Sequence, residues 1–211
     1  MPTFVPMSGT TSDHVFDPKK HHRRSTRLKQ YDYATAGAYF VTACAHQRAC
    51  IFGRVQGASM HLNALGEIVV AGWHDLPLHF PNVELDAFVV MPNHVHGIIL
   101  LTAPVVPKTS SRANGPSPAA DPAATVRNAS LPDVIRALKT FTAKRMNQRC
   151  GTTGLPRWQR NYYEHVIRDE RSLDRIREYI MGNPARWTVD RENPAAINPE
   201  SKDAWRSPGS S

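Results

Sequence analysis

Two histidines, His94 and His96, stand two residues apart in the apolar run from Ala87 to Leu101. Strand side chains alternate between faces with a period of two, so both imidazoles leave one face of a predicted strand, roughly 7 Å apart along it. Such a pair can bind one divalent cation or one phosphate. The alternative is a pair of core histidines bonded to backbone carbonyls, because a buried polar group without a partner costs roughly 1–3 kcal/mol.

A tyrosine and an asparagine form the second candidate group, in the segment REYIMGNP. Tyr179 and Asn183 are four residues apart on a predicted helix, so they lie together beside its apolar stripe. An amide oxygen is a hard ligand suited to Mg²⁺ or Mn²⁺, and a tyrosine hydroxyl can act as a covalent nucleophile. The structural alternative is a rim tyrosine followed by an asparagine at the C-terminal end of a helix.

The elements that must position these groups follow from periodicity and from turn residues. Five strands are predicted: Tyr39 to Cys44, Ile51 to Val55 as its hairpin partner, Val83 to Val90, His94 to Leu101, and Tyr162 to Ile167. Three helices are predicted: Leu65 to Leu76, Ser130 (the N-cap) to about Gln148, and Ser172 to Asn183, which is capped by Asp169 and followed by Pro184. This order predicts an α+β fold, an antiparallel sheet with helices packed on it.

Three segments lack such periodicity. Residues 1–22 and 188–211 are polar and contain proline, and residues 103–129 are rich in Pro, Ser and Ala. We therefore expect a flexible N-terminal segment, a flexible insertion and a loose C-terminal tail around one domain at 23–187.

The net charge of the 211-residue chain is +8, which favours a polyanionic partner. Lysines and arginines cluster in three blocks, at residues 19–29, 136–149 and 157–186. Three cysteines without a Cys-x-x-Cys pair fit a reducing cytoplasm and argue against a disulfide framework. No signal peptide or membrane span is evident, so a cytoplasmic protein without a membrane partner is expected.

Three motifs together resemble the REP-associated tyrosine transposases, a branch of the single-tyrosine HUH transposases. They are MPNHVHGI, WQRNYYEHVIRD and SLDRIREYIMGNP, and the segments RRSTRLKQYDY and GAYFVT are similar to the same family. The resemblance spans roughly Arg23 to Trp187 and omits the insertion and the tail. The HUH motif has valine in the middle, between His94 and His96.

The resemblance implies a ferredoxin-like α+β domain that cuts and rejoins single-stranded DNA at hairpin-forming REP repeats. It implies that His94, His96 and Asn183 bind Mg²⁺ or Mn²⁺ and that Tyr179 is the nucleophile, giving a 5′-phosphotyrosine and a free 3′-OH. The expected partner is single-stranded or hairpin DNA rather than a small-molecule substrate, bound by a monomer or a homodimer. The candidate DNA-binding residues are Arg23, Arg24, Arg27, Lys29, Lys139, Arg160 and Arg175.

Alternatives remain open at this stage. Tyr163 competes as nucleophile, while Glu164 and His165 could support the site or complete a sheet edge. A DNA-binding protein without chemistry, derived from a transposase, is a second function. A metal phosphohydrolase using the histidine pair is a third.

Overall fold

The computed structural model describes residues 32–103, 128–201 and 203–206. The strands are β1 (Gly37–Cys44), β2 (Gly53–Gln56), β3 (Ser59–Leu62), β4 (Val83–Val90), β5 (His94–Leu101) and β6 (Tyr163–Ile167). The helices are α1 (Ala64–His74), α2 (Leu76–His79), α3 (Leu131–Arg149) and α4 (Glu170–Gly182), and short 3-10 turns span His46–Arg48, Pro184–Val189 and Ala204–Arg206. Within the described ranges, no helix is both long and apolar enough to cross a membrane.

Four strands form one sheet in the order β4-β5-β1-β6, and every neighbouring pair is antiparallel. With α1 between β1 and β4 and α3 between β5 and β6, the chain follows the β-α-β-β-α-β order of a ferredoxin-like domain. The α+β fold class predicted from the sequence is therefore confirmed.

One face of the sheet packs against α1 and α3. Val41 and Ile99 from the central strands meet Leu131 and Leu138 of α3 in a buried cluster. The Trp73 ring from α1 stacks on Phe88 with ring centroids 4.3 Å apart. Gly97 of β5 permits this close approach, because a Cβ atom there would lie 2.4 Å from the indole.

The opposite face packs against α4 and the C-terminal segment. Phe40 and Ile98 from the sheet contact Ile176 and Ile180 of α4, and Trp205 completes this cluster. His94 and His96 lie on this face, since they alternate with Val95 and Gly97 along β5.

The helix starts agree with the sequence prediction. The Asp133 carboxylate accepts hydrogen bonds from the backbone N–H and the hydroxyl of Ser130, which fixes the start of α3. Asp169 accepts from the backbone N–H of Ser172 and so caps α4. The sequence signals for helix starts were sufficient here because a cap is a local interaction.

Asn82 anchors both ends of the predicted insertion. Its backbone carbonyl accepts from the N–H of Thr102 at 2.9 Å, and its side-chain amide exchanges two hydrogen bonds with the backbone of Ala129 at 3.0 and 3.1 Å. Residues 104–127 lie outside the described residues. The end of β5 and the start of α3 are thus bound to the same buried asparagine.

Two predicted elements differ from the structure. The segment predicted as a hairpin partner of β1 instead forms β2, which pairs with β3, because β5 and β6 occupy both edges of β1. The helix predicted to run through Leu76 ends at His74 and is followed by α2, in whose first turn Pro77 lies. A proline ring is tolerated in a first turn but not inside a helix.

The described residues of the segment from residue 188, predicted to be a loose tail, contact the domain at several points. Trp205 is buried in the α4 cluster, and Arg186 forms an ion pair of 2.6 Å with Glu200. The backbone carbonyl of Glu192 accepts a hydrogen bond from the Asn93 side chain, and the Glu192 carboxylate forms an ion pair with Arg48. These contacts hold the tail against the domain despite its proline content.

Candidate active site

The two histidines converge rather than merely share a face. Their Nε2 atoms lie 3.1 Å apart, their ring centroids lie 4.5 Å apart, and both residues are buried. β5 is a central strand, so the polypeptide on either side excludes solvent from the pair. The same-face arrangement predicted from the His-x-His spacing is what the structure contains.

Hydrogen bonding orients the His94 ring. The Asn93 side-chain NH₂ donates to the backbone carbonyls of Arg48 and Glu192, so the amide oxygen of Asn93 faces His94 Nδ1 at 2.8 Å. A carbonyl oxygen only accepts, and His94 Nδ1 must therefore donate. The lone pair of His94 is left on Nε2, which points at His96.

A hydrogen bond to Thr42 orients the His96 ring. Thr42 lies opposite His96 on β1, and its hydroxyl bonds to His96 Nδ1 at 2.8 Å. Burial lowers the pKa of His94 to about 3 and that of His96 well below its ordinary value. Both rings are thus neutral at neutral pH, the form in which imidazole binds a metal.

Tyr179 and Asn183 of α4 approach the histidines from above the sheet. The Tyr179 ring centroid lies 5.3 Å from that of His96 and 6.1 Å from that of Phe40. Asn183 is buried, and its side chain acts to lower the pKa of the Tyr179 hydroxyl. Its Oδ1 atom is buried without a hydrogen-bond partner among the described residues. The i, i+4 pair of the sequence thus meets the His-x-His pair.

Asp190 joins this group, and sequence reasoning missed it. Its Oδ2 atom lies 3.7 Å from His94 Nε2, and ligand atoms of His94, His96 and Asp190 all lie within 4.8 Å of one another. Oδ1 accepts from the backbone N–H of Glu192, whereas Oδ2 is buried with no hydrogen-bond partner in the described part of the chain. No periodicity or motif marks Asp190, because only the folded tail brings it to the site.

The donor set fits a divalent cation. Two neutral imidazole nitrogens face each other, with the carboxylate of Asp190 and the amide oxygen of Asn183 in the same buried site. Two buried oxygens without hydrogen-bond partners are costly unless something else satisfies them. Imidazole nitrogens together with hard oxygen ligands suit a divalent metal ion.

The Tyr179 phenol is protonated in this environment. Burial raises its pKa well above the ordinary value of a tyrosine, and the carboxylates of Asp190 and Glu200 raise it further. The guanidinium of Arg186 lies 5.1 Å from the ring centroid and acts in the opposite sense. Arg186 is the positive charge positioned to stabilise a phenolate.

The competing tyrosine has other partners. Tyr163 donates to Asp203 Oδ1 at 3.1 Å, and burial together with Asp203 raises its pKa to about 12. Glu164 is buried, while the His165 ring packs against Trp205 at 4.5 Å. This group lies on the edge strand β6 rather than on β5 or α4.

The candidate DNA-binding residues are dispersed. Lys139 donates to the backbone carbonyls of Gln159 and Asn161, and burial lowers its pKa to about 8. Its ammonium group therefore holds the loop before β6. Arg160 is exposed and Arg175 is partly buried on α4. The other candidates, Arg23, Arg24, Arg27 and Lys29, lie outside the described residues.

One curated relative covers most of the chain. A protein from Haemophilus influenzae (strain Rd), described as uncharacterised, is 39% identical over 179 residues, which make up 81% of this chain and 93% of the relative. No family model matches the chain.

Two solved structures are similar to this fold. One is a REP-associated tyrosine transposase bound to a REP hairpin, with 19% identity, a TM-score of 0.47, and coverage of 76% of this chain and 73% of that chain. The other is a candidate transposase from Deinococcus radiodurans R1, with 18% identity, a TM-score of 0.41, and coverage of 74% and 95%. The first belongs to the family that the sequence motifs resemble.

Proposed function

We propose that this chain is a metal-dependent single-stranded DNA endonuclease and strand transferase. It belongs to the same family as the Haemophilus influenzae protein, and its motifs resemble those of the REP-associated tyrosine transposases. Its substrate is hairpin-forming repeat DNA. One observation carries the proposal: a tyrosine on α4 lies against a buried, neutral histidine pair whose Nε2 atoms lie 3.1 Å apart.

Tyr179 is the nucleophile of the proposed reaction. Its hydroxyl oxygen attacks the scissile phosphorus and loses its proton, the bond from phosphorus to the 3′ oxygen breaks, and that oxygen leaves as a 3′-OH after taking up a proton. The DNA remains joined to Tyr179 through a 5′-phosphotyrosine. Because the energy of the phosphodiester bond is retained, attack by a 3′-OH reverses the step and seals the strand without ATP.

His94, His96, Asn183 and Asp190 would hold the divalent cation. When bound, Mg²⁺ or Mn²⁺ supplies Lewis-acid polarisation of a non-bridging phosphate oxygen. Asn93 keeps His94 in the tautomer that offers Nε2, and Thr42 holds the His96 ring in place through its Nδ1 atom. Compared with the ligand set expected from the resemblance, Asp190 is an addition.

Arg186 assists the nucleophile. Its guanidinium lies over the Tyr179 ring, and two hydrogen bonds to Glu200 Oε1, at 2.9 and 2.6 Å, fix its position. A fixed positive charge favours the phenolate over the phenol, which offsets part of the effect of burial. Arg186 therefore prepares Tyr179 for attack.

The deciding experiment mixes the protein with end-labelled single-stranded repeat DNA and Mg²⁺ or Mn²⁺, then separates the products on a denaturing gel. A labelled band at the mass of protein plus DNA is the expected result, because the strand stays attached to Tyr179. Intact DNA would instead indicate a repeat-binding protein without chemistry. Cleaved DNA without an adduct would indicate a metal phosphohydrolase.

A further inference from the structure

A cavity of about 460 Å³ opens where the first turns of α4 meet β6 and the 3-10 turn Ala204–Arg206. It lies toward the end of α4 opposite to Asn183. Its lining includes three arginines together with a histidine, a serine and a tryptophan: Arg168, Arg175, Arg206, His165, Ser172 and Trp205.

The cavity carries a surplus of positive charge. Its one lining carboxylate, Asp169, accepts from the backbone N–H and hydroxyl of Ser172, both at 2.8 Å, and so serves as the cap of α4. Arg168 and Arg175 have no carboxylate partner among the described residues, and Arg206 lies 3.8 Å from Asp203. Arginine forks are the side chains best suited to bind phosphate oxygens.

Arg175 is positioned to bind a phosphate. Its Nη2 donates to the Ser172 hydroxyl at 3.1 Å, whereas its Nε atom is buried without a hydrogen-bond partner within the described part of the chain. A buried guanidinium N–H that lacks an acceptor is destabilising on its own. The Arg175 side chain lines the cavity, where a phosphate would add acceptors for its guanidinium beyond the Ser172 hydroxyl.

The tryptophan does not offer a stacking surface. Trp205 is 4% exposed and packs against Phe40 and His165, and the Arg206 guanidinium lies 4.8 Å from its ring centroid. Bases stack on exposed aromatic rings, so a base has no platform here. The chemistry of the cavity selects a phosphate rather than a base.

The position of the cavity along α4 relates it to the nucleophile. Arg175 and Ser172 precede Tyr179 by one and two turns, which is about 6 and 10 Å along the helix axis. On this scale the cavity lies within a few nucleotides of the nucleophile along a bound strand.

We propose that this cavity binds a backbone phosphate of the DNA strand, within a few nucleotides of the phosphate attacked by Tyr179. The site acts on any base sequence and sets the register of the strand along α4. This inference rests on the proposed function, since it takes single-stranded DNA as the ligand.

The test measures binding of fluorescent oligo(dT) to the full chain without divalent metal, over a range of salt concentrations. Arg168→Gln and Arg175→Gln should each weaken binding about tenfold, as expected for one charged hydrogen bond. Each should flatten the slope of log K against log salt by about 0.7, the value for one phosphate contact on a single strand. Arg171→Gln is the matched control, because Arg171 is exposed in the same helical turn but does not line the cavity.

Equal salt slopes for the cavity variants and for Arg171→Gln would overturn the proposal, because the cavity arginines would then contribute only to the overall positive charge of the surface. Arg206→Gln repeats the test at a half-exposed side chain whose loss leaves the core intact. Thermal unfolding of each variant verifies the fold. Formation of the covalent adduct at saturating DNA tests the proposed function separately. An adduct with unchanged salt slopes would refute phosphate binding in the cavity but not the proposed function. Flattened salt slopes without an adduct would refute the proposed chemistry but not phosphate binding in the cavity.

Discussion

Two phenols flank the ring of Phe40, each edge-on with ring centroids 6.1 Å from it. Tyr179 also contacts His96, whereas Tyr163 donates to Asp203. Tyr179→Phe should therefore keep the fold and DNA affinity but abolish cleavage and the covalent adduct, because only the nucleophilic oxygen is lost. Tyr163→Phe should retain both activities on the same denaturing gel. The reverse pattern would move the nucleophile to Tyr163.

Removing a nitrogen ligand should cost more metal affinity than removing an oxygen ligand. His94→Ala and His96→Ala should each weaken Mn²⁺ binding by more than about tenfold, the loss that removal of an outer partner alone can cause. Asn183→Ala should be milder, because water can replace one oxygen ligand. Asp190→Asn should also weaken binding, since it removes the negative charge from the site.

Trp187 provides the readout for this titration. Its ring centroid lies 6.2 Å from that of His94, and bound Mn²⁺ is paramagnetic and should quench its fluorescence. His165→Ala is the control, because His165 packs on Trp205 in a different part of the molecule. Unchanged Mn²⁺ affinity in both histidine variants would leave His94 and His96 as core histidines.

At the scale of elements, an ion pair attaches α4 to the sheet. Arg177 of α4 donates two hydrogen bonds to Asp86 of β4, at 3.0 and 2.7 Å. These bonds lower the pKa of Asp86 below 3.8, so the unfolded chain binds the proton more tightly than the folded one. The pair therefore contributes its full stability above about pH 3.8, and this contribution is lost as the pH falls through the lower folded value.

Asp86→Asn should lower the free energy of unfolding at pH 7 by about 0.5–1 kcal/mol, a modest value because solvent screens the partly exposed Arg177. Urea unfolding of wild type and variant should show this difference shrinking as the pH is lowered below 3.8. Asp174→Asn is the control, since Asp174 also pairs with Arg177 but lies on the exposed side of α4. A difference that persists unchanged in acid would mean that Asp86 acts through packing.

Elements with local signals were predictable from the sequence. Ser130 and Asp169 cap their helices through bonds to residues three positions away, and the apolar run around His94 forms a central strand. The i, i+4 pair on α4 was likewise sufficient to place Tyr179 beside Asn183. The position of β2 was not predictable, because it depends on which strands occupy the edges of β1.

The contacts of the tail could not be predicted from the sequence for a similar reason. Asp190 reaches His94 only because Trp205 and the Arg186–Glu200 pair hold the tail on the α4 face. Such contacts join residues distant in sequence, and the proline content of the tail favoured the opposite interpretation. Spacing thus predicted that His94 and His96 share a face and that Tyr179 lies beside Asn183, whereas it gave no signal for Asp190.

At the scale of the whole molecule, one of the three basic blocks, residues 19–29, lies near one terminus. Lys19, Lys20, Arg23, Arg24, Arg27 and Lys29 lie outside the described residues, and we expect them to contact DNA phosphates. Deleting residues 1–29 should weaken repeat-DNA binding and reduce the slope of log K against log salt by a few units, at about 0.7 to 0.9 per lost contact. A covalent adduct should still form at high DNA concentration, because the chemical groups remain. An unchanged DNA affinity and an unchanged salt slope would indicate that the arginines of the described domain bind the DNA instead.

Asn82 has a consequence for engineering this chain. Because one buried asparagine binds both Thr102 and Ala129, the ends of the intervening segment stay together whatever its length. The entropy of closing a flexible connection grows only slowly with the number of residues. A reporter domain whose own termini are adjacent could therefore be spliced in between residues 104 and 127, leaving the register of β5 and the start of α3 as they are.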